Sequence, residues 1–192
     1  MRIALFGGTF DPLHLGHLNA AKEVLRQKLV EQVWFIPVCW HAFKENFAIT
    51  GLKHRKAMIE LGIEGKSGLK VLDFNENPTY AIETIEKAKA SFSGNAFFWL
   101  MGTNLIEEFS SWEQPERILQ ETKLILFPVP GSEDQKSSLI DSASPIRVED
   151  NAIDLSSTVV REKLLGSHSV EGLVPKKVLE YIEENDLYKN GK

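Results

Sequence analysis

Short, almost wholly apolar segments alternate along this chain with longer segments in which apolar residues recur at helical spacing. The first apolar segment, 2–6, ends at Gly7-Gly8, and residues at helical spacing follow from 17 to 28. Further apolar segments lie at 33–37, 69–74, 96–101, 123–127 and 146–148. Strands without a polar face need helices on both sides of their sheet, and alternation of strands with helices is typical of parallel pairing. We therefore predict an α/β fold with a doubly wound parallel sheet of five to six strands and helices on both faces.

The remaining helices and loops are predicted from the same periodicity and from capping residues. Helices are expected at 52–63, from a cap at Thr79 to about 90, at 112–120, from Ser156 or Ser157 to 165, and from Pro175 to about 184. The stretch 128–145 is rich in Pro, Gly, Ser and acidic residues and is expected to be a surface loop. We predict a single domain, 1–192, with a small C-terminal helical part at about 156–188.

The charge and the cysteine content exclude several classes of protein. The 192 residues carry a formal charge of −5, and a nucleic-acid backbone needs a basic surface, so we expect no nucleic-acid partner. Cys39 is the single cysteine, which rules out an internal disulfide. The longest apolar run, 33–40, is far shorter than the roughly 20 residues of a membrane span. We expect a cytoplasmic protein without membrane contact, either a monomer or a homo-oligomer.

The loop after the first predicted strand, 7–17, carries the clearest chemical signal. Its two adjacent glycines let the backbone approach a ligand and expose consecutive N–H groups, which is how oxyanions are bound. Neither Gly-x-Gly-x-x-Gly nor Gly-x-x-x-x-Gly-Lys-Ser/Thr is present, which argues against a nicotinamide dehydrogenase and a P-loop NTPase.

Two histidines follow at the expected start of a helix. His14 and His17 are three residues apart and therefore share one side of the first turn, where the helix dipole favours an anion such as a polyphosphate. A coincidental polar turn is one alternative. A zinc site is another, although no third ligand occurs at a regular spacing.

Residues 7–12, Gly-Gly-Thr-Phe-Asp-Pro, followed by His14-Leu15-Gly16-His17, resemble the signature of the nucleotidylyltransferase superfamily, and most closely that of the bacterial nicotinate mononucleotide adenylyltransferases. The resemblance extends nearly from end to end and implies a Rossmann-like fold. It implies that His14 and His17 contact the ATP phosphates and the transition state. The ATP-binding residues that it implies in this loop are Gly7, Gly8, Thr9, Phe10 and Gly16.

A second segment, 155–161, reads Leu-Ser-Ser-Thr-Val-Val-Arg and is similar to the family's Ile-Ser-Ser-Thr-x-x-Arg motif. The similarity implies that Ser156, Ser157 and Thr158 bind ATP. Ser157 and Thr158 are expected to cap a helix whose first N–H groups donate to phosphates, and Arg161 is expected to bind the leaving pyrophosphate. Taken alone, the segment also fits a surface capping box with an ordinary arginine.

The pyridine half of the site is implied by two further segments. Residues 77–85 resemble the family's Pro-Ser-Tyr-Thr-x-x-Thr segment, so Thr79 and Tyr80 are expected to offer backbone amides to a pyridine carboxylate. Ala81 stands where Thr is usual and removes one hydroxyl contact. Trp112 matches the tryptophan that stacks on the pyridine ring. A plain capping residue is the alternative for Thr79, and simple core aromatic residues are the alternative for Tyr80 and Trp112.

Other positions depart from the family pattern. Gly102 and Asn104 align with a Gly-x-Asp segment on the adenosine side and are expected to bind ATP, although the amide of Asn104 lacks the charge of Asp. The segment 37–44 differs most. Lys44 and Arg55 are candidate contacts to the phosphate of the pyridine nucleotide, with solvated basic side chains as the alternative for each.

The implied reaction is adenylyl transfer: the phosphate of nicotinate mononucleotide attacks the α-phosphorus of ATP, and pyrophosphate leaves. An ionised phosphate needs no side-chain base, so catalysis depends on alignment and charge stabilisation. Mg²⁺ is expected to enter with ATP, with few direct protein ligands, and no protein metal site is predicted. Nicotinamide mononucleotide and phosphopantetheine are alternative acceptors, and a nucleotide-binding sensor without turnover is the alternative from another class.

Overall fold

The computed structural model describes residues 1–38, 50–74, 80–149 and 153–189. The strands in these ranges are β1 Arg2–Gly8, β2 Gln32–Pro37, β3 Leu69–Val71, β4 Ala96–Gly102, β5 Lys123–Phe127 and β6 Ile146–Arg147. All of them pair in parallel, in the order β3-β2-β1-β4-β5-β6. The chain winds outward in both directions from β1, so the predicted doubly wound sheet is confirmed.

Helices cover both faces of this sheet. They are α1 Leu15–Arg26, α2 Leu52–Ile63, α3 Ala81–Ser91, α4 Pro115–Glu121, α5 Ser138–Ser142, α6 Ser157–Leu165 and α7 Lys176–Glu184. One apolar cluster includes residues of α1, α2, α6 and α7, and a second includes residues of α3, α4 and α5. Successive residues of a strand point to opposite faces, so Ala4 joins the first cluster and Leu5 the second. None of the described helices is long and apolar enough to cross a membrane.

Several boundaries differ from those predicted. The third strand ends at Val71, not at 74. The helix expected at 112–120 begins at Pro115, whose ring favours the first turn of a helix. The expectation of a loop throughout 128–145 is wrong at α5, because Ile140 is fully buried and its N–H donates to the hydroxyl of Ser137, the N-cap.

The strand order determines where a ligand can bind. The chain connects β1 to β2 on one side and reaches β4 on the other, which makes the gap between the ends of β1 and β4 the switch point of the sheet. In sheets of this kind, ligands bind beyond the carboxyl ends of the strands at that point. Here those ends are Gly8 and Gly102, which are the glycines of two predicted ATP-binding segments.

Candidate active site

A cavity of about 400 Å³ opens beyond the ends of β1 and β4. The predicted site residues that line it are Gly7, Gly8, Thr9, Phe10, His14, Gly16, His17, Tyr80, Gly102, Asn104, Trp112, Ser156, Ser157, Thr158 and Arg161. Arg55 is not among its lining residues, and Lys44 and Thr79 lie outside the described residues. The fold thus brings the N-terminal motif, the 155–161 segment and the predicted pyridine half to one opening.

The two histidines lie at the beginning of α1, which starts at Leu15, two residues before the predicted helical segment. His14 is the N-cap, and its ring stacks on that of His17 with centroids 3.7 Å apart. The backbone N–H of His14 donates to Nδ1 of His17 over 3.3 Å. Since Nδ1 accepts, the proton of the neutral His17 ring is on Nε2, which is then a hydrogen-bond donor.

Burial keeps both imidazoles neutral at neutral pH. It lowers the pKa of His14 to about 4, because the charged ring would lose its hydration. It also lowers the pKa of His17 well below the usual range, and the adjacent His14 lowers it further. The pair therefore offers N–H donors and no positive charge before an anion arrives. Nδ1 of His14 is buried and has no hydrogen-bond partner in the described part of the chain.

The glycines after β1 allow close packing around the cavity. A Cβ added at Gly7 would lie 2.8 Å from the indole of Trp99, and one at Gly8 would lie 3.0 Å from the ring of Phe10. Phe10 itself has a left-handed backbone, with φ 49°, and its ring contacts His17 edge-on at 4.9 Å. The loop thus packs under the histidines.

The 155–161 segment packs directly against the N-terminal loop. Nη1 of Arg161 donates to the carbonyl oxygen of Asp11 over 2.7 Å, and Nη2 donates to Oγ1 of Thr158 over 3.2 Å. The hydroxyl of Ser157 donates to the carbonyl of Pro12 over 3.0 Å. Two motifs that are far apart in sequence therefore form one wall of the cavity.

Of the capping residues predicted for α6, Ser156 is confirmed, because its hydroxyl accepts from the N–H of Val159 over 3.2 Å, and capping by Ser157 and Thr158 is wrong. Ser157 is instead the first residue of the helix, and its hydroxyl is engaged with the N-terminal loop. The first turn of α6 still faces the cavity through Ser157 and Thr158.

The predicted pyridine half lies on the other side of the cavity. Tyr80 is the N-cap of α3 and its backbone N–H donates to Oε2 of Glu83 over 3.2 Å. The ring of Trp112 is half-buried, meets Trp99 edge-on at 6.3 Å and lies 5.2 Å from Phe109. A flat indole held by two aromatic neighbours is suited to stack on a planar ring.

For Arg55, the alternative of a solvated basic side chain is wrong, and the contact to the phosphate of the pyridine nucleotide stays a prediction. The side chain is only 1% exposed. Its Nε donates to the carbonyl of Thr50 and its Nη1 to the carbonyl of Thr9, each over 2.8 Å. A buried guanidinium must be hydrogen-bonded, and these contacts support the N-terminal loop from behind the cavity.

Asp11 is the residue of this site that sequence reasoning missed. It belongs to the Gly-Gly-Thr-Phe-Asp-Pro segment, and a carboxylate beside a predicted phosphate site is the signal that could have identified it. Asp11 is 3% exposed and lines the cavity. In the described parts of the chain, no three His, Cys, Asp or Glu side chains are grouped to hold a metal ion.

Comparison with known proteins establishes the family. A family model described as cytidylyltransferase-like matches residues 5–163. A protein of Oceanobacillus iheyensis, named a probable nicotinate-nucleotide adenylyltransferase, is 33% identical over 99% of this chain and 98% of its own length. The chain belongs to the nicotinate-nucleotide adenylyltransferase family. The nicotinate-nucleotide adenylyltransferase of Bacillus subtilis is 32% identical over 98% of this chain and 99% of its own length.

Membership of the nicotinate-nucleotide adenylyltransferases confirms the resemblance found in the sequence and the class of enzyme, a nucleotidyltransferase. A solved structure agrees on the fold. The Plasmodium falciparum nicotinic acid mononucleotide adenylyltransferase complexed with NaAD is 20% identical, with a TM-score of 0.78 over 97% of each chain. The Rossmann-like fold expected for the family is thereby confirmed.

Proposed function

We propose that this enzyme joins ATP and nicotinate mononucleotide to give nicotinate adenine dinucleotide and pyrophosphate, a step of NAD biosynthesis. One observation carries the proposal most directly. The stacked histidines and Arg161 line the same cavity as Trp112 and Tyr80, so phosphate-binding and ring-stacking groups lie around one space. The names of the full-length relatives agree with this assignment.

The reaction needs a nucleophile, an alignment and a place for the departing charge. A phosphate oxygen of the mononucleotide forms a bond to the α-phosphorus of ATP as the bond to the β-phosphate bridging oxygen breaks. No side-chain base is required because that oxygen is already ionised at neutral pH. The enzyme therefore contributes mainly orientation and hydrogen-bond donors aimed at the developing charge.

The donors can be assigned from their positions. Nε2–H of His17, oriented by the bond from the His14 backbone to Nδ1, donates to an ATP phosphate oxygen. Arg161 is anchored on the carbonyl of Asp11 and binds the β- and γ-phosphates that leave as pyrophosphate. The backbone amides of Gly8, Thr9 and Phe10 and the first turn of α6 complete the phosphate site.

Mg²⁺ is proposed to enter with ATP, as part of the substrate. This ion keeps several of its waters and binds proteins through few ligands when phosphates are available. Within the proposal its role is to offset the charge of the triphosphate. In the proposed reaction the donor groups of the protein bind the phosphate oxygens directly.

Nicotinamide mononucleotide is the second candidate acceptor, and a specific observation favours it. The acidic side chains of Glu108 and Glu113 line the cavity near Trp112. A carboxylate on the pyridine ring would be repelled by them, whereas an amide would not. The N-terminus of α3 at Tyr80 acts in the opposite direction, because helix N-termini favour anions.

The experiment is a pyrophosphate-release assay with ATP, Mg²⁺ and one acceptor at a time. We expect the highest kcat/KM with nicotinate mononucleotide, a lower value with nicotinamide mononucleotide and no release with phosphopantetheine. Higher kcat/KM with the amide would reassign the acceptor. Binding of ATP without release from any acceptor would favour the sensor and defeat the proposed function.

A further inference from the structure

A tyrosine remote in sequence is hydrogen-bonded to Asp11, a residue that lines the cavity. Tyr188 follows α7 and lies 177 positions from Asp11, yet its hydroxyl donates to Oδ1 of Asp11 over 2.5 Å. Tyr188 has a left-handed backbone, with φ 61°, which is uncommon for an aromatic residue and needs surrounding contacts to hold it. Its half-buried ring packs against the apolar cluster beneath α1, α2 and α7.

Asp11 connects this tyrosine to the phosphate site. Its second carboxylate oxygen, Oδ2, accepts from the backbone N–H of Thr50 over 3.2 Å. Its carbonyl oxygen accepts from Nη1 of Arg161 over 2.7 Å. A buried carboxylate is costly unless its oxygens are bonded, so these partners fix the orientation of the whole residue. The position of Arg161 therefore depends on how Asp11 is held.

The backbone around Asp11 is also held in place from α2. Arg55, a residue of α2, donates to the carbonyls of both Thr50 and Thr9. These bonds tie to α2 the loop that contains Asp11 and the residue whose N–H donates to Asp11. In this arrangement the Tyr188 hydroxyl is the contact that ties Asp11 to the segment following α7. Burial and the adjacent Asp11 carboxylate raise the pKa of Tyr188 above its usual range, so the phenol stays protonated as a donor.

We propose that Tyr188 is a positioning residue for adenylyl transfer: its hydroxyl fixes Asp11 so that Arg161 meets the β- and γ-phosphates in the geometry required for pyrophosphate to leave. This inference rests on the proposed function. Tyr188 touches neither substrate, because it is not among the residues that line the cavity. It acts through Asp11, and its effect is expected on kcat more than on binding of the acceptor.

The test is Tyr188→Phe, which keeps the packed ring and removes only the hydroxyl. We expect kcat to fall about tenfold, a fraction of the roughly 100-fold that a misplacement of about 1 Å can cost. The KM for nicotinate mononucleotide should stay within about twofold, since the ring-stacking half is untouched. The affinity for pyrophosphate, measured by calorimetry without acceptor, should fall with kcat.

The matched control is Tyr181→Phe. Tyr181 lies on α7, its hydroxyl bonds Nδ1 of His54 at 2.9 Å, and it does not line the cavity. It should keep the wild-type kcat and pyrophosphate affinity. Wild-type values of both quantities in Tyr188→Phe would overturn the inference, as would an equal loss in Tyr181→Phe, which would indicate a general effect on folding.

A second variant keeps the inference testable if Tyr188→Phe folds poorly. Asp11→Asn leaves one acceptor oxygen for two donors, the Tyr188 hydroxyl and the Thr50 N–H, so by itself it should lower kcat and the affinity for pyrophosphate, and wild-type values of both would overturn the inference. Where both single variants fold, the loss of kcat in the double variant should be less than additive, because both changes act on the contacts of one carboxylate. Additive losses would contradict the connection. If the wild-type protein releases no pyrophosphate from any acceptor, the proposed function fails on its own, and the pyrophosphate affinities of the two tyrosine variants still decide whether Tyr188 positions Arg161.

Discussion

His14 and His17 stack with their ring centroids 3.7 Å apart and their planes inclined by 25°. Two positive charges this close would repel each other strongly in a partly buried site. Burial lowers the pKa of both rings, so each ring faces the cavity as a neutral hydrogen-bond donor. Bound phosphates favour the protonated form, so charge on the pair is expected only with substrate present.

Replacing His17 by Ala removes the donor that we assign to the ATP phosphates. We expect kcat to fall by about 10²–10³-fold, the cost of one donor aimed at charge that develops in the transition state. Pyrophosphate release at saturating substrate measures it. His168→Ala is the control, because His168 is exposed and outside the cavity. Wild-type turnover in His17→Ala would remove the assigned role.

The buried histidines also predict how stability depends on pH. His14 has a pKa of about 6.5 in the unfolded chain and about 4 in the folded protein. As the pH falls between these values, the unfolded chain binds a proton at His14 and the folded protein does not. The free energy of unfolding therefore decreases across this window, by on the order of 3 kcal/mol for this residue. His14→Gln should show a correspondingly shallower decrease in urea unfolding at a series of pH values. Parallel curves for the two proteins would contradict the lowered pKa.

Arg161→Ala tests the other wall of the phosphate site. Hydrogen bonds from a charged group contribute about 1.5–3 kcal/mol, so the KM for ATP should rise by about tenfold or more and inhibition by pyrophosphate should weaken. Arg147→Ala is the matched control, since Arg147 is exposed and pairs with Asp141. An unchanged KM for ATP in Arg161→Ala, with normal pyrophosphate inhibition, would count against the assignment.

The fold was predictable because burial leaves a direct trace in the sequence. Strand β1 is covered on both sides, so Ala4 and Leu5, which point in opposite directions, are both apolar. Most of the cavity lining was predictable because it lies in short contiguous motifs. A short contiguous motif can be recognised in the sequence because its residues remain neighbours in the folded protein.

Other features have no local trace. The choice of Ser156 over Ser157 as the cap depends on the carbonyl of Pro12, which attracts the second hydroxyl. Arg55 occurs in a helix with ordinary polar neighbours, so its own segment does not predict burial. The side chain is buried where it contacts the carbonyl of Thr9, which is distant in sequence. The hydrogen bond from Tyr188 to Asp11 joins two positions that are far apart in the sequence, and the residues around each position give no sign of the other.

Trp112 offers the sharpest test of the pyridine half. Its indole is braced by Trp99 and Phe109 and lines the cavity, so it can stack on a planar ring without rearrangement. Aromatic stacking contributes about 0.5–1.5 kcal/mol beyond area burial, so Trp112→Ala should raise the KM for nicotinate mononucleotide by about tenfold, and Trp112→Phe by less. The KM for ATP should be unchanged in both, because the phosphate wall is separate.

The control for this pair is Trp34→Phe, which alters a buried tryptophan of β2 that does not line the cavity. It is expected to lower the melting temperature and leave both KM values at the wild-type level. Equal increases in the KM for ATP and for the mononucleotide in Trp112→Ala would mean that the indole supports the cavity as a whole. In that case the interpretation of Trp112 as a core aromatic residue would replace the stacking role, and the preference for a pyridine acceptor would lose its physical basis.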